Sequence, residues 1–263
     1  GPKAAGAVPE QALVVVGTSE NPESPAFELI QAARECGIPS IGVVDGPGHA
    51  VFRFRGQGYA PLDQAPDWIL VPDESLRSKF VGFGHPSNRV IMCGHPHYDT
   101  LRNRKRELDR EGRLRVGARV LPDAPTGRSV VVFATEISDG LDPEAYRQNA
   151  DYTLLGRGVS SRRTDIVLEE FIDAAAEIDI SPYLVLRFHP KNEKGEFASY
   201  LDAFDAVSQS GSAFDLAYSA DLVVGMTSIL LAEAALLGVS TLSIIPRAEE
   251  RYWLSTTAVG ITP

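Results

Sequence analysis

Asp221-Leu-Val-Val-Gly-Met-Thr-Ser-Ile-Leu-Leu-Ala-Glu-Ala-Ala-Leu-Leu-Gly238, followed by Ser240-Thr-Leu-Ser-Ile-Ile-Pro-Arg247, decides the reading of this chain. Aliphatic and β-branched Leu222 to Val224 predict a strand. Gly225 permits a tight turn, and Thr227 or Ser228 can cap the helix that follows. A strand feeding a helix through small and hydroxyl residues makes an anion site, because unpaired backbone N–H groups point at it. Glu233 is the lone acid of an otherwise apolar helix. It lies roughly 7–8 Å along the axis from Ser228 at helical rise. That is about the offset between a nucleotide's phosphate and its ribose hydroxyls. A carboxylate accepts hydrogen bonds from a diol, and this one is costly to bury without a partner. The plainer reading is an ordinary α/β unit whose acid happens to fall at a helix edge.

The same alternation runs along the rest of the chain. Strands are predicted at Leu13 to Val16, Ile41 to Val44, Asp67 to Val71 and Arg89 to Met92. Helices are predicted from Ser24 to Cys36 and from Asp73 onward. A polar and basic connection, Leu101 to Arg128, divides the chain into domains 1–112 and 113–263. The pattern then restarts with a strand at Ser129 to Phe133, a helix at Asp165 to Ile178, a strand at Tyr183 to Phe188 and a helix at Phe197 to Val207. Strands alternating with helices imply parallel sheets built from crossover units.

With 263 residues, 44% hydrophobic and 23% charged, the chain has the material for a real core. Its net charge is −10. An acidic chain without a basic tract argues against broad binding of nucleic acid or of an anionic membrane. Arg102 to Arg115 is locally basic, but it alternates with Glu107, Asp109 and Glu111 and reads as a solvated helix. Two distant cysteines, Cys36 and Cys93, point to a reducing compartment. No apolar run approaches membrane-spanning length and no signal peptide is visible, so a cytoplasmic protein is expected. Gly1-Pro2 has the look of a protease-cleavage remnant.

In open parallel sheets, ligands bind beyond the carboxyl ends of strands. Polar residues fall at four such ends: Thr135 and Glu136; Arg187 and His189; Thr227 and Ser228; Arg247 and Arg251 around Glu249-Glu250. Together they suggest a nucleotide or phosphorylated ligand. His189 is a donor to a diphosphate or an acid/base group, against the alternative of a structural histidine before a proline turn. Lys191 either neutralises phosphate or is an exposed loop lysine. Arg247 and Arg251 either clamp a phosphate or form surface ion pairs. His95-Pro-His97 with Asp99 and His85 looks like a ligand cluster, but no partner with zinc spacing follows, so no metal site is assigned. Gly156-Arg-Gly-Val-Ser160 does not follow a strand and is no dinucleotide fingerprint.

These residues resemble GT-B-fold enzymes, especially the UDP-N-acetylglucosamine 2-epimerase-like group. The family's Ser-Gly-Gly-x-x-Glu-Glu-Ala, Leu-Gly and Arg-x-x-x-Glu-Arg segments are similar to Thr227-Ser-Ile-Leu-Leu-Ala-Glu233-Ala, Leu237-Gly238 and Arg247-Ala-Glu-Glu-Arg251. Arg187-Phe-His189-Pro190 resembles its His-bearing strand end. Val16-Gly17-Thr18, Ile38-Pro39 and Gly94-His95-Pro96-x-x-Asp99 resemble its first-domain motifs. The resemblance implies that Thr227 and Ser228 meet a diphosphate and that Glu233 holds a ribose. Where the family carries Val-Glu-Ala-Gly, this chain reads Val43-Val44-Asp45-Gly46. The family's opening strands and its final helix have no counterpart here. The His-Pro-Lys segment is also similar to glycerophosphotransferases of wall-polymer synthesis.

The expectation is therefore α/β, with two Rossmann-like domains facing a cleft in a GT-B-like arrangement and the first domain incomplete. The expected activity is metal-independent transfer of a sugar, or a related group, from a nucleotide-activated donor to a surface-carbohydrate acceptor. The nucleotide-sugar is substrate, and no separate cofactor is expected. His189 would act on the donor; Asp45, His49 and His95 are the candidate bases for the acceptor. Two alternatives stand: an epimerase or hydrolysing epimerase acting on the nucleotide-sugar itself, and a non-catalytic nucleotide-sugar-binding module. A homo-oligomer is compatible with either.

Overall fold

The computed structural model describes residues 12–46, 48–137, 147–193, 195–254 and 256. Gly1-Pro2 and Ser138 lie outside them. The chain divides into two compact units, Gly1–His95 and Pro96–Pro263.

The first unit holds β1 (Val14–Gly17), α1 (Pro25–Glu35), β2 (Ser40–Val43), β3 (Trp68–Val71), α2 (Glu74–Gly82) and β4 (Val90–Met92). Ser24 caps α1 by accepting from the Ala26 N–H at 3.4 Å, and Asp73 caps α2 by accepting from the Leu76 N–H at 2.9 Å. All strands are parallel, in the order β1-β2-β3-β4. Each crossover steps the same way, and right-handed connections then put both helices on one face. Val16, Ile69 and Val90 of that face pack with Phe27, Ile30, Phe54, Leu76 and Phe80. The other face carries the row Val15, Ile41 and Trp68. Val15 is 58% exposed there, and Ile91 beyond it 43%. A complete doubly wound sheet is covered on both sides. Among the described residues this one has helices on one side only, in keeping with an incomplete first domain.

The second unit holds α3 (Pro96–Glu111), α4 (Arg113–Val120), β5 (Val130–Ala134), α5 (Arg163–Ala176), β6 (Tyr183–Arg187), β7 (Ala206–Ser208), α6 (Ala213–Ser219), β8 (Leu222–Gly225), α7 (Ile229–Leu237) and β9 (Ser240–Ser243). The parallel order is β7-β6-β5-β8-β9. The chain walks outward from β5 to β7, then returns to the far side of β5. The reversal between β5 and β8 is a topological switch point, where such sheets bind ligands. Val132, Val185 and Val223 point to the face covered by α3, α4, α6 and α7. Phe133, Leu186 and Val224 point to the face covered by α5. Gly238 ends α7 at φ 83°, a left-handed conformation that suits glycine.

Two sequence expectations need correction. The division falls at His95/Pro96, not at 112/113, because α3 belongs to the second unit: Leu101 and Leu108 are buried in the core that contains α7. The predicted helix Phe197 to Val207 is a short 3-10 turn, Ala198–Ala203, followed by edge strand β7. Asp205 ends the turn: its carboxylate accepts from the Leu184 N–H at 2.8 Å and pairs with Arg128 at 3.0 Å, drawing the next residues alongside β6.

Gly42 offers a test of the first unit's packing. A Cβ there would sit 2.7 Å from Phe54 Cζ and 2.9 Å from Pro66 Cγ, whereas one on Gly17 meets nothing within 4 Å. Gly42→Ala should destabilise the protein by about 1–3 kcal/mol through overpacking. Gly17→Ala should stay within about 0.5 kcal/mol, the usual range for an open surface position. Denaturant unfolding of the two variants checks this; equal effects would contradict the packing.

Candidate functional site

The centre of the second unit is a buried ion network at the β5/β8 switch point. Arg163, the first residue of α5, has no exposed surface. Its Nη1 donates to Glu136 at 2.8 Å and its Nε to Glu250 at 2.8 Å. Its Nη2 donates to Thr227 Oγ1 at 3.2 Å. Glu250 in turn accepts from Arg247 Nε at 2.8 Å. Both guanidiniums lie over the Trp253 ring, at 5.5 and 5.3 Å from its centroid. Burial acts to lower the Arg163 pKa, but the Glu136 and Glu250 charges outweigh it and hold the guanidinium protonated.

This network uses groups that the sequence suggested for a ligand. Glu136 accepts from the Thr227 N–H at 2.5 Å and from its hydroxyl at 3.0 Å. A protein carboxylate thus occupies the Thr227 end of the turn before α7. Arg247 is 4% exposed and directed inward to Glu250. Arg251 is exposed and lies over Tyr252, 5.4 Å from the ring centroid. The two do not form a clamp, because a buried guanidinium needs its carboxylate more than a solvent-facing role. Arg187 is also buried; it donates to Ser208 Oγ and the Ser210 carbonyl, each at 2.8 Å, and to the Gly211 carbonyl at 3.1 Å. It fixes the 208–211 loop beyond β7. Thr135 donates to Asn192 Oδ1 at 2.7 Å, tying the end of β5 to the turn after β6.

What remains directed outward is smaller. The His189 backbone N–H is fixed by Asn192 Oδ1 at 2.9 Å. His189 Nδ1 accepts from the Lys191 N–H at 3.2 Å. An Nδ1 that accepts places the ring proton on Nε2, which has no hydrogen-bond partner among the described residues. Burial, with Lys191 adding to it, holds the His189 pKa below its ordinary value, so the neutral Nε2–H form prevails at pH 7. The Lys191 ammonium makes no ion pair among the described residues. Ser228 caps α7, accepting from the Leu230 N–H at 3.3 Å.

Glu233 is buried, as expected of a carboxylate on an apolar helix, and one oxygen meets His97 Nε2 at 2.8 Å. Its other oxygen has no partner among the described residues. Burial raises its pKa, and the His97 hydrogen bond and charge oppose that rise. The His97 ring lies tilted against Phe214, with the centroids 5.2 Å apart.

In the first unit, His95 Nε2 donates to the Asp45 carbonyl at 2.9 Å. A carbonyl only accepts, so Nε2 carries a proton. The Asp45 carboxylate pairs with Arg53 at 3.0 Å. His49 follows β2 with φ 56° and its ring 6.3 Å from Phe52. Among the described residues, no group of three or more His, Cys, Asp or Glu side chains is placed to share a metal ion.

Sequence reasoning missed Arg163 and Asn192, took Glu250 only as one of the polar residues after the last strand, and weighed His97 only as a metal ligand, without assigning a metal site. Signals existed. Arg162-Arg163 opens a helix where acids are favoured, so those cations need partners elsewhere. Pro96 at a helix start puts His97 in the first turn of a helix. The Arg163 network generates a prediction. Arg163→Met removes a charge partner from buried Glu250 and from half-buried Glu136 and should cost about 3–5 kcal/mol. Adding Glu250→Met should recover part of the loss. A single variant within about 1 kcal/mol of wild type in denaturant unfolding would contradict a fully buried pair.

No protein-family model matches the sequence, and no curated protein matches it. Solved structures do. The UDP-GlcNAc 2-epimerase from Methanocaldococcus jannaschii matches with a TM-score of 0.60 at 13% identity, over 95% of this chain and 65% of its own. The UDP-GlcNAc 2-epimerase from Neisseria meningitidis, bound to UDP-GlcNAc, matches with 0.59 at 15% identity, over 90% and 61%. The S. aureus MnaA–UDP co-structure matches with 0.54 at 12% identity, over 88% and 57%. This chain thus spans less than two thirds of the length of each. At these identities the likeness is one of fold: the chain shares the α/β fold with parallel sheets of these epimerase structures.

Proposed function

We propose that the second unit binds the diphosphate of a nucleotide-activated sugar between the His189–Lys191 turn and the N-terminus of α7, with Glu233 on the ribose. The observation that carries this is the His189 ring. Its Nδ1 is held by the Lys191 N–H, and its Nε2–H is left to donate at the carboxyl end of β6. Lys191 adds a positive charge, and Ser228 with the first turn of α7 adds N–H donors. These groups suit the charge that develops when a nucleoside diphosphate leaves. The neighbouring Oε2 of Glu233 is available to a diol hydroxyl.

The reaction follows from the chemistry. A base takes the proton of an acceptor hydroxyl; that oxygen attacks the anomeric carbon. The bond to the phosphate oxygen breaks, and the nucleoside diphosphate departs with the electron pair, meeting Nε2–H and Lys191. The acceptor is proposed to be a surface carbohydrate and the step to need no metal. Epimerisation is the second reading, favoured because the Neisseria meningitidis epimerase of the same fold has UDP-GlcNAc bound. Nucleotide released only with acceptor supports transfer; release without acceptor, or interconversion of the nucleotide-sugar, supports the second reading. Binding without turnover would leave a nucleotide-sugar-binding module.

Nucleoside diphosphates and their sugars should raise the melting temperature by mass action, with or without a chelator. No shift with any nucleotide would contradict the proposal. His189→Ala should weaken nucleotide binding while leaving the melting temperature nearly unchanged, because the backbone bonds to Thr135 and Asn192 remain. A large fall in melting temperature with unchanged affinity would make His189 structural.

Glu233→Gln separates binding from stability. The folded-state pKa of Glu233 lies above its ordinary value. Its stability contribution is therefore full at low pH and is lost as pH rises through the raised pKa. Glutamine keeps an acceptor for His97 and removes the buried charge. The variant should be at least as stable as wild type at pH 7, yet bind nucleotide more weakly by about 1.5–3 kcal/mol. Calorimetric titration and a melting curve on one sample decide; unchanged affinity would remove Glu233 from the ribose.

A further inference from the structure

Glu233 is the one acid of α7, and Leu230, Leu231, Ala234 and Leu237 of the same helix are buried with it. Its side chain is 9% exposed. Burial favours the neutral form of a carboxyl, and it raises the Glu233 pKa against the pull of His97. A neutral carboxyl is a poorer acceptor for a sugar hydroxyl than a carboxylate, because hydrogen bonds to charged groups are the stronger ones. A ribose site built on Glu233 therefore needs a neighbour that keeps the acid ionised.

The first turn of α3 supplies that neighbour. His97 Nε2 lies 2.8 Å from Glu233 Oε1. A carboxylate only accepts, so the ring donates. The ring also lies against Phe214 of α6, which limits where it can turn. The other elements packed closely on α7 are α6, β8 and β9. On α6, Asp215 is taken by Arg104 and Arg119, and the Tyr218 hydroxyl donates to Asp109. The strands β8 and β9 hold no charged residue. On α3, Asp99 and Arg102 pair with each other, with side chains 80% and 75% exposed. Among the described residues, His97 is thus the one charged or titratable group that acts on Glu233.

We propose that His97 is a positioning residue for the ribose: its donated hydrogen bond keeps Glu233 a carboxylate and engages one oxygen, leaving the other to accept from the diol. This rests on the reading of Glu233 as the ribose acceptor. His97 itself does not touch the nucleotide. Its effect is confined to the sugar hydroxyls, and the phosphates are left to the 189–191 turn and the start of α7.

Calorimetric titration with UDP, CDP, GDP and ADP, each against its 2′-deoxy form, tests this between about pH 6 and pH 9. Both forms carry the same phosphates, so the ratio of their affinities cancels the titration of the phosphates and of His189 and reports the hydroxyl alone. The wild-type protein should favour the ribonucleotide by about tenfold at pH 7. His97→Leu removes the donor, so Glu233 takes up a proton more readily. Its preference should fall to about threefold or less at pH 7 and return as pH rises and the carboxyl ionises. The His97 side chain is 37% exposed, so little packing is lost. His97→Gln keeps a donor and should keep most of the preference. A preference in His97→Leu equal to wild type at every pH, one lost and not restored at high pH, or one lost equally in His97→Gln would overturn the role of His97. No binding, or no preference for the ribonucleotide in the wild type, would instead overturn Glu233 as the ribose acceptor, and the role of His97 with it.

Discussion

A fully buried guanidinium organises the second unit. Arg163 is tolerable without water only because Glu136 and Glu250 lie against it and Thr227 accepts its remaining donor. Those partners come from different places: the end of β5, the segment after β9, and the turn that starts α7. One side chain therefore fixes the geometry of the switch point. It also explains which polar residues are spent. Thr227, Glu136 and Arg247 serve the network, and the candidate site is what is left around it: the 189–191 turn, Ser228 and Glu233.

The β5/β8 reversal and the His97–Glu233 contact have a common consequence. α3 does more than follow the first unit; its first turn supplies the partner of the one acid on α7. Arg104 of α3 pairs with Asp215, as does Arg119 of α4; Asp215 is 2% exposed and depressed in pKa by those guanidiniums against the cost of its burial. The inner side of the helix is thus committed to the core and to α7, and the outer side is left to solvent-facing arginines.

Periodicity made the alternating strands and helices legible, because burial on a sheet imposes a hydrophobic pattern that any sequence must carry. The apolar helix at 229–237 was legible for the same reason, with Thr227 and Ser228 both open as its cap, as was the isolation of Glu233. The partners of charged residues were not. Arg187, Arg247 and Arg251 read alike as strand-end cations, yet the first holds loop carbonyls, the second a buried carboxylate and the third an aromatic ring. Those choices depend on residues far along the chain, which spacing does not encode. The edge strand at 206–208 was hidden because its turn before Asp205 looks helical until Arg128 and the Leu184 N–H claim the carboxylate. The placement of α3 was hidden because its two buried leucines, Leu101 and Leu108, are outnumbered by charge.

An amide-resolved NMR titration of the 28.4 kDa chain with a nucleoside diphosphate tests the central claim most directly. The account predicts shift changes at His189 to Asn192, at Ser228 to Leu230, and at Glu233 and His97. A competing cavity of about 470 Å³ lies at the opposite ends of the same strands, lined by Leu114, Gly117, Leu121, Arg128 and Val130. Shifts confined to that cavity, with the residues around His189 and Glu233 silent, would contradict the site.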